Sequence, residues 1–548
     1  MRNKTNILNL IKPILLGFIL FFTHIAFATT YYMDASRGND GNDGITEGTA
    51  WQTLSKINNA SFSPGDVIAF KRGETFPGNF TITESGTADS RIVLTAYGTG
   101  NLPIIGALLK HTGTWINQGS NIWTKSGGAA TRLWRNGIEQ GKCGRKNKEE
   151  DISELGSHNV KQCHKDGTTY LYSTTNPNGN AIEYAGQSTI IKISGDYVTL
   201  KYLDVRYGKS NCIKIDNASH TKVEFCSIGY NAGYGMQVSN GDYLTVENNI
   251  FDNNFKITFD GIDSHAGTDA RGSNDGFASW GGLHDSIVRY NDFINWGHAS
   301  INMEALGSNT ISRNRIHHNK FTAPSLHYAR AFVYSGDNCN NNEFDHNYVD
   351  GMWIRSQTDG KRNHFHHNWI YNQHDTPYKN GEQGQALALE PYNDDPQNNT
   401  FEYNTFKNIQ GPCIKLESYG SNYMINNTFH KNLFDNCGYD SYYFHTTGAG
   451  IYVQPYNYIQ DNTYTDNAFI NGIDDTPIDY HDKSITTTQF NAENGTDNDK
   501  ISGNTSSVTD QGAGILDLST IGVNAGKTLP INVEQSQGAF ILTPGKLY

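Results

Sequence analysis

The sequence predicts an all-β chain wound as a right-handed, single-stranded parallel β-helix, a solenoid with an N-terminal cap and loop insertions on one edge. Three observations predict it. A short motif centred on asparagine recurs eight times, its shortest spacing fits one solenoid turn, and stretches of helical period are hard to find. Composition agrees, with 56 Gly but only 14 Pro and 6 Met in 548 residues.

The first element is a leader. Arg2, Lys4 and Lys12 precede an apolar run from Pro13 to Ala26 that ends in Ala26-Phe27-Ala28. The run is shorter than the roughly 20 residues of a membrane span, and the A-x-A end marks a signal peptide over 1–28. A secreted protein, extracellular or periplasmic, with no membrane attachment after cleavage, is the expectation. Losing those three basic residues moves the net charge from −13 to −16. Such a chain offers no basic field to nucleic acid. An acidic polysaccharide would need a local basic groove or a bridging cation. The seven cysteines (143, 163, 212, 226, 339, 413 and 437) match no metal-site spacing. Small buried residues plus one disulfide are expected of them, and the oligomeric state stays open.

Residues 29–187 read as a cap and first irregular coils. They hold YYMDASRGNDGNDGITEGTAWQTLSKIN (31–58), with a short helix expected around Trp51–Asn58, then SPGDVIAFKRGETFPGNFTI (63–82), IVLTAYGTGNLPIIG (92–106) and YLYSTTNPNGNAIEYA (170–185).

Regular coils follow over 188–470. The motif reads VENNIF (246–251), VRYNDF (288–293), ISRNRI (311–316), FDHNYV (344–349), FHHNWI (365–370), FEYNTF (401–406), MINNTF (424–429) and IQDNTY (459–464), with VEFCSI (223–228) carrying Cys226 in the Asn slot. Successive asparagines are 42, 23, 33, 21, 36, 23 and 35 residues apart. A minimum of 21 fits one coil of three short strands and three turns, whereas propeller blades repeat near 40 and helical repeats need longer amphipathic segments. No coil buries its own apolar positions, so about nine or ten coils must stack about 4.8 Å apart. The asparagines suit left-handed turns and can bond along the stack, which makes them structural. Surplus runs at Asn254–Asp275, Lys320–Ala329, Gln373–Gly384 and Gly438–Gly448 fall at one place in the coil and build one wall of a groove. Residues 471–548 read as an irregular tail or cap.

The opening segments and 170–185 resemble the start of secreted bacterial β-helix carbohydrate-active proteins, and the resemblance covers residues 31–470 in architecture. It implies fold, secretion and a carbohydrate substrate. Polysaccharide lyases, glycoside hydrolases and epimerases share that architecture, so it names no reaction. NDGFASWG (274–281) also resembles an Asp-Gly-Phe-Ala segment of one β-helix pectate lyase group, in which Asp residues bind calcium and a nearby Lys is the base. Here Trp280 stands where that Lys is expected.

Strand alternation gives the groove residues. The outward row is read as Asp216, Ser239, Trp280, Glu304, Tyr334, Arg355, Glu390, Glu417 and Gln454, and the row two residues back includes Trp353, Lys415 and Tyr452. Aromatic faces suit sugar rings, while carboxylates and Arg supply proton transfer and hydrogen bonds. Glu390 and Glu417, one coil apart, match the roughly 5–5.5 Å carboxyl separation of retaining glycosidases. Like charges that close raise one pKa and make a proton donor.

The leading reading is therefore an endo-acting glycoside hydrolase. Glu390, Glu417, Glu304, Arg355 and Tyr334 form its catalytic region, and Trp280, Trp353, Lys415, Tyr452, His265 and Arg271 bind substrate. It needs no cofactor. The alternative is a lyase acting on a uronate polymer, with Ca²⁺ on Asp260, Asp263, Asp269 and Asp275; a second alternative is a carbohydrate-binding β-helix without catalysis. Adjacent His317-His318 and His366-His367 should point to opposite faces and so share no ion.

Overall fold

A computed structural model describes residues 28–506 except 127–131, 144, 147–148, 151, 157–159, 254–274, 297, 306, 323–329, 336–337, 357–359, 373–384, 390–395, 418–422, 439–449, 454–457, 472–477, 481–482 and 494–498. Among the described residues, three sheets of 14, 13 and 12 strands run along the chain. Each coil gives one strand to each sheet. Gly208–Asp216, Lys222–Glu224 and Ser227–Gly229 form one coil; Tyr234–Ser239, Thr245–Glu247 and Ile250–Asp252 form the next, paired in parallel with it. The chain is a right-handed parallel β-helix. It has more coils than the nine or ten expected, because the opening strands Thr30–Met33, Val67–Lys71 and Ile92–Tyr97 join the 14-stranded sheet without carrying the Asn motif.

Apolar residues recur at matching positions in successive coils, so like stacks on like inside. Phe344, Phe365, Phe401, Phe429 and Tyr464 stack with ring centroids 4.4–5.2 Å apart. That spacing is set by the strand separation, since each ring rides on the next strand of a parallel sheet.

The asparagines form two ladders at two corners of the coil, not one. Asn249, Asn291, Asn319, Asn347, Asn368, Asn404, Asn432, Asn467 and Asn504 make the longer ladder. Asn314, Asn342, Asn363, Asn399, Asn427 and Asn462 make the other. The motif copies at 311–316, 424–429 and 459–464 thus belong to a different corner from the rest. Both corners need a residue in the left-handed region just before the Asn, such as Arg313, His318 or Tyr403, so both write the same short motif. Along the longer ladder the true steps include 28, 28 and 21 residues.

Residues 109–184 leave the solenoid as an eight-stranded, largely antiparallel sheet. Buried Arg132 ties it to the coils, donating to the Asn231 carbonyl at 3.1 Å and the Asn253 carbonyl at 2.9 Å. A helix at Leu54–Asn58 buries Leu54 and Ile57 near the first coils. Near the last described coil a helix at Thr487–Ala492 buries Phe490 against Tyr464. Both short helices lie at the ends of the described stack. Two disulfides form, Cys143–Cys163 and Cys413–Cys437, one more than expected, and Cys212, Cys226 and Cys339 are buried free thiols. Among the described residues no helix is long and apolar enough to cross a membrane.

Candidate functional site

The 13-stranded sheet carries the expected groove row, and its register is explicit. Ile191, Ile213, Met236, Phe277, Ile301, Phe332, Ile354, Leu387, Ile414 and Ile451 stack inward. The next row in register runs Lys192, Lys214, Gln237, Ala278, Asn302, Val333, Arg355, Ala388, Lys415 and Tyr452. Ala278, Asn302, Val333, Ala388 and Lys415 are buried. Much of this row is therefore shielded from solvent and is not an open face.

Two predicted members sit in other rows. Glu304 pairs with Ser335, while Tyr334 pairs with Met303, a core residue. Arg355 takes the register of Asn302 and Lys415, not that of Glu304. The segment RAFVY ends one residue before the true outward position, and a bulge between Arg330 and Phe332 shifts the register of the next strand. Counting from the last residue of each segment could not detect either. The surplus run placed at Lys320 also begins later, since Lys320–Thr322 is a strand of the 12-stranded sheet.

Glu390, His265, Arg271, Asp260, Asp263 and Asp269 lie outside the described residues, as do the side chains of Tyr334, Trp353 and Arg355. Glu417 is described and forms an ion pair with buried Lys415. Tyr452 follows Lys415 on the next coil. Glu304 and Glu417 stand four strands apart in the sheet, about 19 Å at the strand spacing, so they cannot share one bond.

The chemistry concentrates around Asp275. Its carboxylate is fully buried; Oδ1 accepts from His298 Nδ1 at 2.7 Å and Oδ2 from Asn302 Nδ2 at 3.0 Å. Holding the proton on Nδ1 leaves Nε2 as the acceptor of the neutral ring, the atom able to take a proton from water or substrate. Glu304, on the same strand as Asn302, is half-buried. Burial pushes its carboxyl up, the nearby His298 opposes that shift, and the Asp275 charge adds to it. One carboxyl biased to keep its proton thus shares a site with an imidazole aligned to accept one.

Trp280 packs edge-on against Tyr234, with centroids 4.9 Å apart. Trp280 Nε1 and Asn302 Oδ1 are buried without a hydrogen-bond partner among the described residues. Leaving such atoms unsatisfied costs on the order of 1–3 kcal/mol each. His298 and Asn302 were not picked out as site residues from the sequence. The available signal was spacing: His298 follows Asp275 by 23 residues, one coil's length, with Asn302 four residues on.

The Asn corners and the three stacked sheets find a counterpart in the family described as "Right handed beta helix region", whose model matches residues 148–277, 190–370 and 265–429 in overlapping segments. The chain belongs to that family. An 80-residue stretch is 32% identical to a lacto-N-biosidase of Bifidobacterium longum subsp. longum, covering 14% of this chain and 5% of that relative's length. Among solved structures, a complex of XylC with xylose covers 81% of this chain and 84% of its own, at 12% identity and a TM-score of 0.49. A rhamnogalacturonan lyase covers 80% and 87%, at 14% identity and a TM-score of 0.41. The chain thus spans about one-twentieth of the curated relative it matches.

Proposed function

We propose that this chain is a secreted glycoside hydrolase that cleaves a polysaccharide along the 13-stranded sheet. Glu304 serves as the proton donor to the leaving oxygen, and His298, aligned by Asp275, is the base that activates water. The observation that carries this reading is half-buried Glu304, its carboxyl pushed up by burial, within electrostatic reach of the hydrogen-bonded Asp275–His298 pair. Hydrolysis requires a proton donor and a base at once; burial biases Glu304 toward its protonated form, and Asp275 orients the His298 ring. Trp280 offers an aromatic wall for a sugar ring. The Ala26-Phe27-Ala28 leader supports export. No step in this scheme requires a cofactor, so chelator should leave the rate unchanged.

A second reading rests on the same pair. His298 Nε2 is equally placed to remove a proton beside a uronate carboxylate, which would make the chain a lyase; of the four Asp expected to hold calcium, Asp275 is buried with both oxygens bonded to His298 and Asn302, so the ion that neutralises the uronate would rest on Asp260, Asp263 and Asp269. One experiment separates the two readings. The protein lacking residues 1–28 is incubated with plant, algal and animal polysaccharides, following reducing ends and ultraviolet absorbance in parallel, with and without chelator. New reducing ends without absorbance, lost in Glu304→Gln with the fold intact by circular dichroism, support hydrolysis. Absorbing products, sensitivity to chelator, or tight binding with no product at all overturn it.

A further inference from the structure

On the outer face of the 14-stranded sheet, away from the groove sheet, histidines gather on three successive coils. In register, His317 pairs with Asp345 and Asp345 with His366. The residue after each, His318, His346 and His367, has φ between +52° and +55°. A left-handed residue breaks strand alternation, so adjacent side chains come to the same side. The rings of His317 and His318 therefore meet, with Nδ1 atoms 2.8 Å apart, and His366 and His367 repeat the contact at 2.9 Å. This overturns the expectation that such neighbours point to opposite faces. His318, His346 and His367 then stack at 4.9 and 5.1 Å, nearly parallel.

We propose that His317, His318 and Asp345 form a binding site for one first-row divalent cation of the Zn²⁺ type. One ligand atom from each of the three lies within 4.8 Å of the other two. Tetrahedral zinc with bonds of roughly 2.0–2.2 Å separates its ligand atoms by about 3.4 Å, so the side chains need only small adjustments. The ion takes the place of the hydrogen held between the two Nδ1 atoms, and the ring that carried it moves that proton to its Nε2, so that both rings offer an Nδ1 lone pair. His346 donates from Nδ1 to Asp345 Oδ2 at 2.8 Å, orienting the carboxylate from behind. Two imidazoles and one carboxylate leave a fourth position for water.

One group opposes the ion. Arg315 grips Asp345 with Nε on Oδ1 and Nη2 on Oδ2, both at 2.8 Å. Removing that guanidinium must free the carboxylate, which gives a variant expected to bind more tightly. A neighbouring group, Glu343, Asp345 and His366, shares Asp345, so His366→Gln separates the two arrangements.

The test is calorimetric titration of the folded protein with Zn²⁺ alone in metal-free buffer, with circular dichroism verifying each variant's fold. The wild type should bind one equivalent. His318→Gln and Asp345→Asn should weaken binding tenfold or more, Arg315→Gln should tighten it severalfold, and His366→Gln should leave it unchanged. A general loss of structure would lower affinity in every variant, so the opposite sign for Arg315→Gln marks a ligand site. No binding by wild type, unchanged affinity in His318→Gln, weaker binding in Arg315→Gln, or loss in His366→Gln overturns the proposal.

Discussion

Glu304 concentrates the electrostatics of the proposed catalytic centre at a single residue. Its carboxyl is raised first by burial, lowered by His298 and raised again by Asp275. A proton donor works while protonated, so the rate falls as pH rises through its pKa. Taking away the Asp275 charge removes a raising influence, so Asp275→Asn should move the alkaline limb of the pH–rate profile to lower pH. Profiles of kcat/KM over pH 4–9 check the sign; a limb that stays fixed in Asp275→Asn would show that another group titrates. The sequence showed Glu304 and Trp280 because they end clean alternating segments. It hid His298 because that residue precedes its strand, where alternation says nothing about direction.

At the scale of a strand or corner, close approach and ladder bonding decide what each position tolerates. Gly276 sits between Asp275 and the core residue Phe277, and a Cβ there would meet the Ser300 carbonyl oxygen at 2.5 Å and Phe293 Cδ1 at 2.9 Å. Backbone cannot yield cheaply, so Gly276→Ala should destabilise by about 1–3 kcal/mol and displace Asp275. Thermal unfolding and activity should fall together. Asn368 bonds Asn404 Oδ1 through its backbone N–H and bonds the Phe344 carbonyl and Asn404 Oδ1 through its amide; its Oδ1 accepts from Asn347. Asn368→Ala orphans at least two buried backbone groups, about 1–3 kcal/mol each. A drop in the denaturant midpoint of several kcal/mol equivalent is expected, with an unchanged far-ultraviolet spectrum before the transition. The corner motif was legible because left-handed turns and ladders demand Asn. That two corners demand the same residue was not, since spacing alone cannot say which corner a copy occupies. The histidine pairs failed for a related reason, a left-handed residue placed at the point where alternation was assumed to continue.

Across the whole molecule, a stack transmits force only between neighbouring coils, whereas residues 109–184 interrupt that one-dimensional order. Solenoid architecture was readable from repeats; the antiparallel character of this insertion was not, because its strands carry no corner motif. Its attachment centres on Arg132, buried, paired with Glu139 and bonded to the Asn231 and Asn253 carbonyls of two successive coils. Asn253 also bonds Arg132 Nη1 through its side chain at 2.6 Å, and it ends the described part of the coil before the chain reaches Asp275. Arg132→Met removes the buried partner of a part-buried ion pair and leaves two carbonyls without this donor, a loss of about 1–3 kcal/mol for each group left unsatisfied. That loss falls on the contact between insertion and coils, not on the ladders. The expected outcome is early protease cleavage within 109–184 while the coils from 275 onward keep wild-type hydrogen-exchange protection. Uniformly faster exchange across the solenoid would mean that the insertion is part of the stack's own stability, and equal protease resistance would mean that Arg132 does not hold it.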